Sequence, residues 1–339
     1  MRPLSPTEAI NPAISRTRAV LFQPFRLGRS WKLAFFAYLA LCGSAFYPFA
    51  FVYFGFLRVP GTTTSLIYLV WAGVLAATAI QLLLFYLGSR IQFVLLDYVL
   101  TPSPLIAPLW RRYGDRTWRW IGLKLAIFVP LSFAVLLPLY PVYIRLFKLF
   151  PRPQNPPQPI DPAILGAILS AYLIVGAAMS LIFLVGSILS DFILPSIALE
   201  DATVSESLRR FGTLCQQEPL TLIGYLCLRI LLAICGVVLQ YAATLIVMLL
   251  FALVLGATAF AGWFVLHTLV PKLILIVGGV ALYLVCLVCL FYIQLGTFGA
   301  LNIFFRAYSL YFLGGRYPLL GNILEPHPPP PPIVQYTEV

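Results

Sequence analysis

Apolar runs long enough to cross a bilayer follow one another from Trp31 to Phe298, and the polar positions between them gather into short basic stretches. About 20 apolar residues cross a hydrocarbon core. The runs predict six spans. The first is Trp31 to Leu57, with Lys32 at its mouth and Pro48 inside. The second runs from about Ser65 to Leu100, about 54 Å as a helix and longer than a bilayer needs. The third is Ile121 to about Phe147, interrupted by Pro130, Pro138 and Pro141. The fourth, Ala163 to Leu194, is again overlong and rich in glycine and alanine, which let helices approach closely in lipid. The fifth opens at Pro219 and carries Arg229. The sixth is Leu273 to Phe298. Gly256 to His267 reads as a re-entrant or interfacial segment anchored by Trp263, and the aromatic stretch Asn302 to Phe312 reads as interfacial.

Between the fourth and fifth runs lies an elbow. Asp191 ends an apolar helix, Pro195 removes a ladder donor, and Glu200 and Asp201 follow. Val204, Leu208, Phe211 and Cys215 then recur at helical spacing around Arg209 and Arg210. The adjacent acids fit a cap on this short helix, where negative charge meets the positive dipole end. Leu109-Trp110-Arg111-Arg112-Tyr113-Gly114 repeats the plan, after Asp97 and Pro102 and before Lys124. Phe25 to Lys32 is a fainter third copy. Either an internal duplication or the shared needs of membrane-surface loops produces this likeness. Ahead of the spans, Pro12 to Gln23 forms an amphipathic helix, with Ile14, Val20 and Leu21 on one side and arginines toward a headgroup surface, or else a solvated basic tail. The chain divides into a basic segment 1–30, a six-span domain 31–320 and a proline-rich tail 321–339 with five consecutive prolines.

Composition agrees with lipid as the solvent. The 339 residues are 61% hydrophobic and 10% charged, with mean hydropathy +0.95, against roughly a quarter charged in soluble proteins. The net charge of +11 therefore marks loops that stay on the cytoplasmic side and touch anionic lipid, not a nucleic-acid surface. With the N-terminus inside, the inner segments hold Arg2, Arg16, Arg18, Arg26, Arg29, Lys32, Arg90, Arg111, Arg112, Arg116, Arg119, Arg209, Arg210, Arg306 and Arg316. The outer ones hold Arg58, Arg145, Lys148, Arg152 and Lys272. That imbalance places both termini in the cytoplasm.

Lys124 and Arg229 remain within spans, and intramembrane charges usually pair. Asp191 is expected to pair with Arg229 and Asp97 with Lys124. These pairs read as a structural ion layer or as a polar vestibule holding a headgroup or a partner helix. Catalytic chemistry has no visible carrier. The two histidines, His267 and His327, stand apart, the eleven acids are scattered, and no metal, nucleotide or nucleophile motif appears. The six cysteines fit packing roles. No catalytic, cofactor or metal residues are assigned, and no cofactor is expected.

The elbow Asp191 to Asp201 with Ser207 to Phe211, and the opening Gln23 to Lys32, resemble bacterial six-helix membrane families of unknown function. These are akin to the membrane domain of some glycerophosphodiester phosphodiesterases. The resemblance implies fold and topology over roughly residues 15–320, not that activity. The expectation is an all-α bundle of six spans in the cytoplasmic membrane, not an enzyme. It binds lipid or assists membrane-protein assembly, with Arg111, Arg112, Arg209, Arg210, Pro195, Glu200 and Asp201 as headgroup or partner contacts. The alternative is a small-solute transporter or channel.

Overall fold

The computed structural model describes residues 2–23, 27–44, 64–101, 107–149, 162–265 and 269–324. Among these residues the regular structure is all helical: α1 (Ile10–Phe22), α2 (Leu27–Cys42), α3 (Thr64–Leu100), α4 (Ala107–Arg112), α5 (Gly114–Leu149), α6 (Pro162–Ile188), a π-helical turn (Leu189–Ile193), α7 (Leu194–Glu200), α8 (Val204–Gln217), α9 (Pro219–Val265), α10 (Leu269–Gly314) and α11 (Pro318–Leu324). Four segments are long and apolar enough to cross a membrane: Trp71–Leu100, Tyr172–Glu200, Pro219–Thr258 and Val277–Gly314. Of the remaining expected spans, the first has a short apolar helix, Ser30–Cys42, and continues outside the described residues. The third lies within α5, which runs on past its three prolines.

Two expectations are corrected. Gly256 to Val265 is not a separate re-entrant turn; α9 continues through it for 47 residues, while 266–268 lie outside the described residues. The aromatic stretch 302–312 is not a separate surface segment either. It is the end of the 46-residue α10, and Ile303, Ala307, Tyr308, Leu310 and Phe312 are buried to 1% or less. The proline run of the tail lies outside the described residues.

The chain forms two compact units. The first comprises Met1–Tyr38, Asp97–Pro102 and Leu214–Val339. Here α9 and α11 pack on α10, and so does α1, whose Ala13, Val20 and Leu21 are buried. The N-terminal helix thus docks one side on protein, while Ile14 and Arg18 stay exposed. Ser5 and Glu8 precede it as a capping box: the Ser5 amide donates to Glu8 Oε2 at 2.9 Å, and the Glu8 amide donates to Ser5 Oγ at 3.3 Å. Asn302 donates to the Ala37 carbonyl at 2.6 Å, beside Gly299, where a side chain would strike the backbone of Ala34.

The second unit comprises Leu39–Leu96 and Ser103–Thr213. Its close approaches run through glycine. A Cβ on Gly43 would enter the backbone of Gly88 and Ser89, and one on Gly88 the backbone of Gly43 and Leu39. Gly186 meets the Ser44 carbonyl and Phe128 in the same way. Where the backbone itself is in contact, no rotamer change relieves an added methyl. Gly43→Ala or Gly88→Ala should therefore cost at least the roughly 1–3 kcal/mol typical of overpacking. Gly73→Ala, with nothing within 4 Å of its Cβ, should be neutral or slightly stabilising, since alanine has the higher helix propensity. Thermal melting of the purified variants checks both.

A second expectation concerns Glu8. Hydrogen bonds from the Ser5 amide and hydroxyl, then the charge of Arg2, hold its carboxyl below the usual range. A lowered folded value means that the cap is complete above the ordinary glutamate pKa and is lost as pH falls through the lowered one. The Ser5 amide resonance should titrate at that lower pH, and a midpoint at or above the ordinary value would disprove the bond.

Candidate functional site

Backbone carbonyls at the end of a helix lack intrahelical donors. In lipid, water does not replace them. This chain answers with cations. The guanidinium of Arg16 donates to the carbonyls of Val99, at 2.7 Å, and Leu100, at the end of α3. Arg90 donates to the Trp110 carbonyl in α4 at 2.8 and 3.2 Å and lies 4.5 Å from the Trp110 ring centroid. Arg116 reaches the Ala198 carbonyl at the end of α7 at 2.6 Å. Arg316 reaches the Phe312 carbonyl in α10 at 2.8 Å, and also Glu218 and the Leu4 carbonyl. Each placement also sets positive charge at the negative end of a helix dipole.

Lys124 is the most deeply placed of these cations. It is 0% exposed, and its ammonium donates to the Gly43 carbonyl just past α2, to Gln92 Oε1 at 2.8 Å and to Ser89 Oγ at 3.2 Å. The Trp120 ring lies 4.7 Å away and the Phe85 ring 5.6 Å. Gln92 extends the network. It takes a bond from Trp120 Nε1 at 3.0 Å and donates to the Ala40 carbonyl at 2.9 Å and to Ser44 Oγ at 3.2 Å. Sequence reading found Lys124 but not its partners, which lie 32 to 81 residues away. The same unit buries Asp191, at 1% exposure, in the π turn. That turn follows from Pro195. A proline at that position offers no N–H to the Asp191 carbonyl four residues back, and the ladder widens, with the Leu194 amide bonding to the Leu189 carbonyl.

The elbow departs from expectation in detail. Glu200 and Asp201 do not cap α8; the Glu206 amide takes Thr203 Oγ1 at 3.3 Å instead. Asp201 ends α7 in the left-handed region, at φ 56°, and its carboxylate meets Arg116 Nε at 3.1 Å and Arg119 at 3.4 Å. Arg210 is held by Glu200 and, at 2.6 Å, by Glu206. Those two hydrogen bonds, Glu200's first, keep its guanidinium even more firmly protonated than usual. Pro195 is buried, whereas Arg111, Arg112 and Arg209 are exposed. The two arginine pairs also differ in backbone: one closes α4, while the other lies within α8. Both aromatic anchors nonetheless pack on a phenylalanine of the preceding long element, Tyr113 on Phe93 at 5.3 Å and Phe211 on Phe192 at 5.2 Å.

In the first unit, Arg229 donates to the Tyr225 hydroxyl at 3.1 Å and lies 4.9 Å from the Phe305 ring centroid. Arg306, on α10, is 3% exposed. The expected pairings Asp191–Arg229 and Asp97–Lys124 each join residues of different units. Among the described residues no group of three metal-ligating side chains occurs.

Replacing Lys124 with methionine leaves buried acceptors without their charged donor, and should cost about 3 kcal/mol or more. Arg18→Met, on the exposed side of α1, should stay within about 0.5 kcal/mol. Equal melting temperatures for the two would show that the Lys124 network carries no stability.

No curated protein matches the chain, and no solved structure does. A family model matches residues 4–323, nearly the whole helical region. The chain belongs to that family, a family of unknown function (DUF7544).

Proposed function

We propose that this is a non-enzymatic multi-pass protein of the bacterial cytoplasmic membrane, with its basic elbows in the cytoplasm, that binds anionic lipid headgroups and supports the assembly of other membrane proteins. The division of labour among the arginines of the second unit carries this reading. Arg116, Arg119 and Arg210 are committed to Asp201, Glu200 and Glu206. Arg111, Arg112 and Arg209 are exposed, Arg112 with its guanidinium 5.7 Å from the Tyr113 ring centroid, in the same unit as Trp118, which is 63% exposed. Exposed arginines with an interfacial tryptophan are the chemistry of a lipid-phosphate surface.

A second reading, a small-solute transporter or channel, draws on the buried Lys124 network and on the helix widened at Asp191. Intramembrane charges and interrupted helices mark many transport sites.

Native mass spectrometry tests the first reading. A juxtamembrane arginine contributes about 1 kcal/mol to anionic-surface binding. Replacing Arg111, Arg112 and Arg209 together with glutamine should therefore weaken retention of anionic lipid roughly a hundredfold, and added salt should weaken it in the native chain. Equal retention of neutral and anionic lipid would refute it. Lys124-dependent solute flux in liposomes would establish transport in its place.

A further inference from the structure

Among the described residues, Asp201 is the one non-glycine residue with a positive φ, 56°. Left-handed backbone is costly for residues that carry a side chain, least so for asparagine and aspartate. Here it ends α7, and α8 begins three residues later, at Val204. The direction in which α8 leaves is therefore set at Asp201.

Contacts from α5 hold that corner. Arg116 donates to the Ala198 carbonyl, in the last turn of α7, at 2.6 Å, and meets the Asp201 carboxylate at 3.1 Å. Arg119 meets the same carboxylate at 3.4 Å. Arg210 joins Glu200, at the end of α7, to Glu206 on α8, so that the corner and α8 are tied together. At its other end α7 follows the π turn, and Pro195 supplies no backbone donor. The seven-residue helix thus has an irregular backbone at both ends and is pinned from α5 at one of them.

The chemistry of the pin makes it releasable. Two guanidinium groups face one carboxylate, so the three groups carry one net positive charge. The side chains of Arg119 and Asp201 are 52% and 50% exposed. Exposed ion pairs are weak, and a phosphate group competes well for them, because arginine binds phosphate through two parallel bonds. Depth brings that competitor within reach. The apolar segment Tyr172–Glu200 ends one residue before Asp201 and is 29 residues long, about 44 Å as a helix. A bilayer measured with its headgroup regions is about 40–45 Å thick. Centred in it, the segment ends among the lipid phosphates.

We propose that Arg116, Arg119 and Asp201 form a releasable clamp, opened when a phosphate group, borne by a lipid headgroup or free in solution, takes the arginines from Asp201. Asp201 then leaves its left-handed conformation and α8, which carries Arg209, changes direction. The phosphate shifts this equilibrium because the arginines are available to it only in the open state. For its lipid source the proposal rests on the headgroup reading above, to which it adds regulation.

The test is hydrogen exchange of the full chain in phosphatidylcholine nanodiscs, with phosphatidylglycerol added to the bilayer or inorganic phosphate added to the buffer. Native mass spectrometry of the same samples reports retained lipid. Asp201→Asn removes the carboxylate charge and keeps a residue at ease in left-handed backbone. In neutral nanodiscs its peptides over residues 196–206 should exchange about three- to tenfold faster than those of the native chain, and Arg119→Gln should raise the rate less. The native chain should reach the faster rate when a phosphate group is supplied, and Asp201→Asn should gain nothing more from it. A rise with phosphatidylglycerol alone identifies a lipid as the source, and a rise with inorganic phosphate identifies the free anion; both support the clamp. Native rates in both Asp201→Asn and Arg119→Gln in neutral nanodiscs overturn it. Retained phosphatidylglycerol with no change of rate under either addition also overturns the clamp and leaves the headgroup reading standing. No retained phosphatidylglycerol and no response to inorganic phosphate overturn both.

Discussion

Helix carbonyls need donors, and this chain supplies them repeatedly with cations. Arg16, Arg90, Arg116, Lys124 and Arg316 each place a charged donor on carbonyls at the end of a helix. A charged donor is stronger than a neutral one, and it also answers the partial negative charge that a helix gathers at its C-terminus. Several of the residues behind the net charge of +11 are thus structural. The glycines follow from the same arrangement. For a lysine on α5 to reach a carbonyl beyond α2, the neighbouring backbones must come very close, and Gly43, Gly88 and Gly186 allow that approach.

Where a feature was set by one strong local signal, the amino-acid pattern revealed it. Long apolar runs gave the long helices, and Pro195 gave the disturbed ladder beside Asp191. Where one residue type serves two physical ends, the pattern misled. Tyrosine and phenylalanine suit both a bilayer interface and a buried core, and residues 302–312 took the second course. Aspartate suits both a helix start and a left-handed helix end; Asp201 is the latter. Glycine within apolar sequence does not stop a helix in lipid, and α9 continues past Gly256. The Lys124 network was illegible because it joins groups far apart in the chain. The capping signal Ser5-x-x-Glu8, by contrast, was present to be read.

The two units handle charge differently. The second shows some arginines to the outside and binds others to Glu200, Asp201 and Glu206. The first buries Arg306 and sets Arg229 against the Tyr225 hydroxyl and the Phe305 ring. Membership in a family of unknown function, matched over nearly the whole chain, makes these arrangements the natural features to compare among its members.

The bond between Arg316 and the Leu4 carbonyl spans 312 residues, and Gly315 lies against the backbone of Arg2 and Pro3. Synthesis at about 5–20 residues per second separates the two partners by roughly 15–60 s. All of the second unit emerges within that interval. The first unit can close only when its last helices arrive, so the contacts of α1 with α10 are among the last to form.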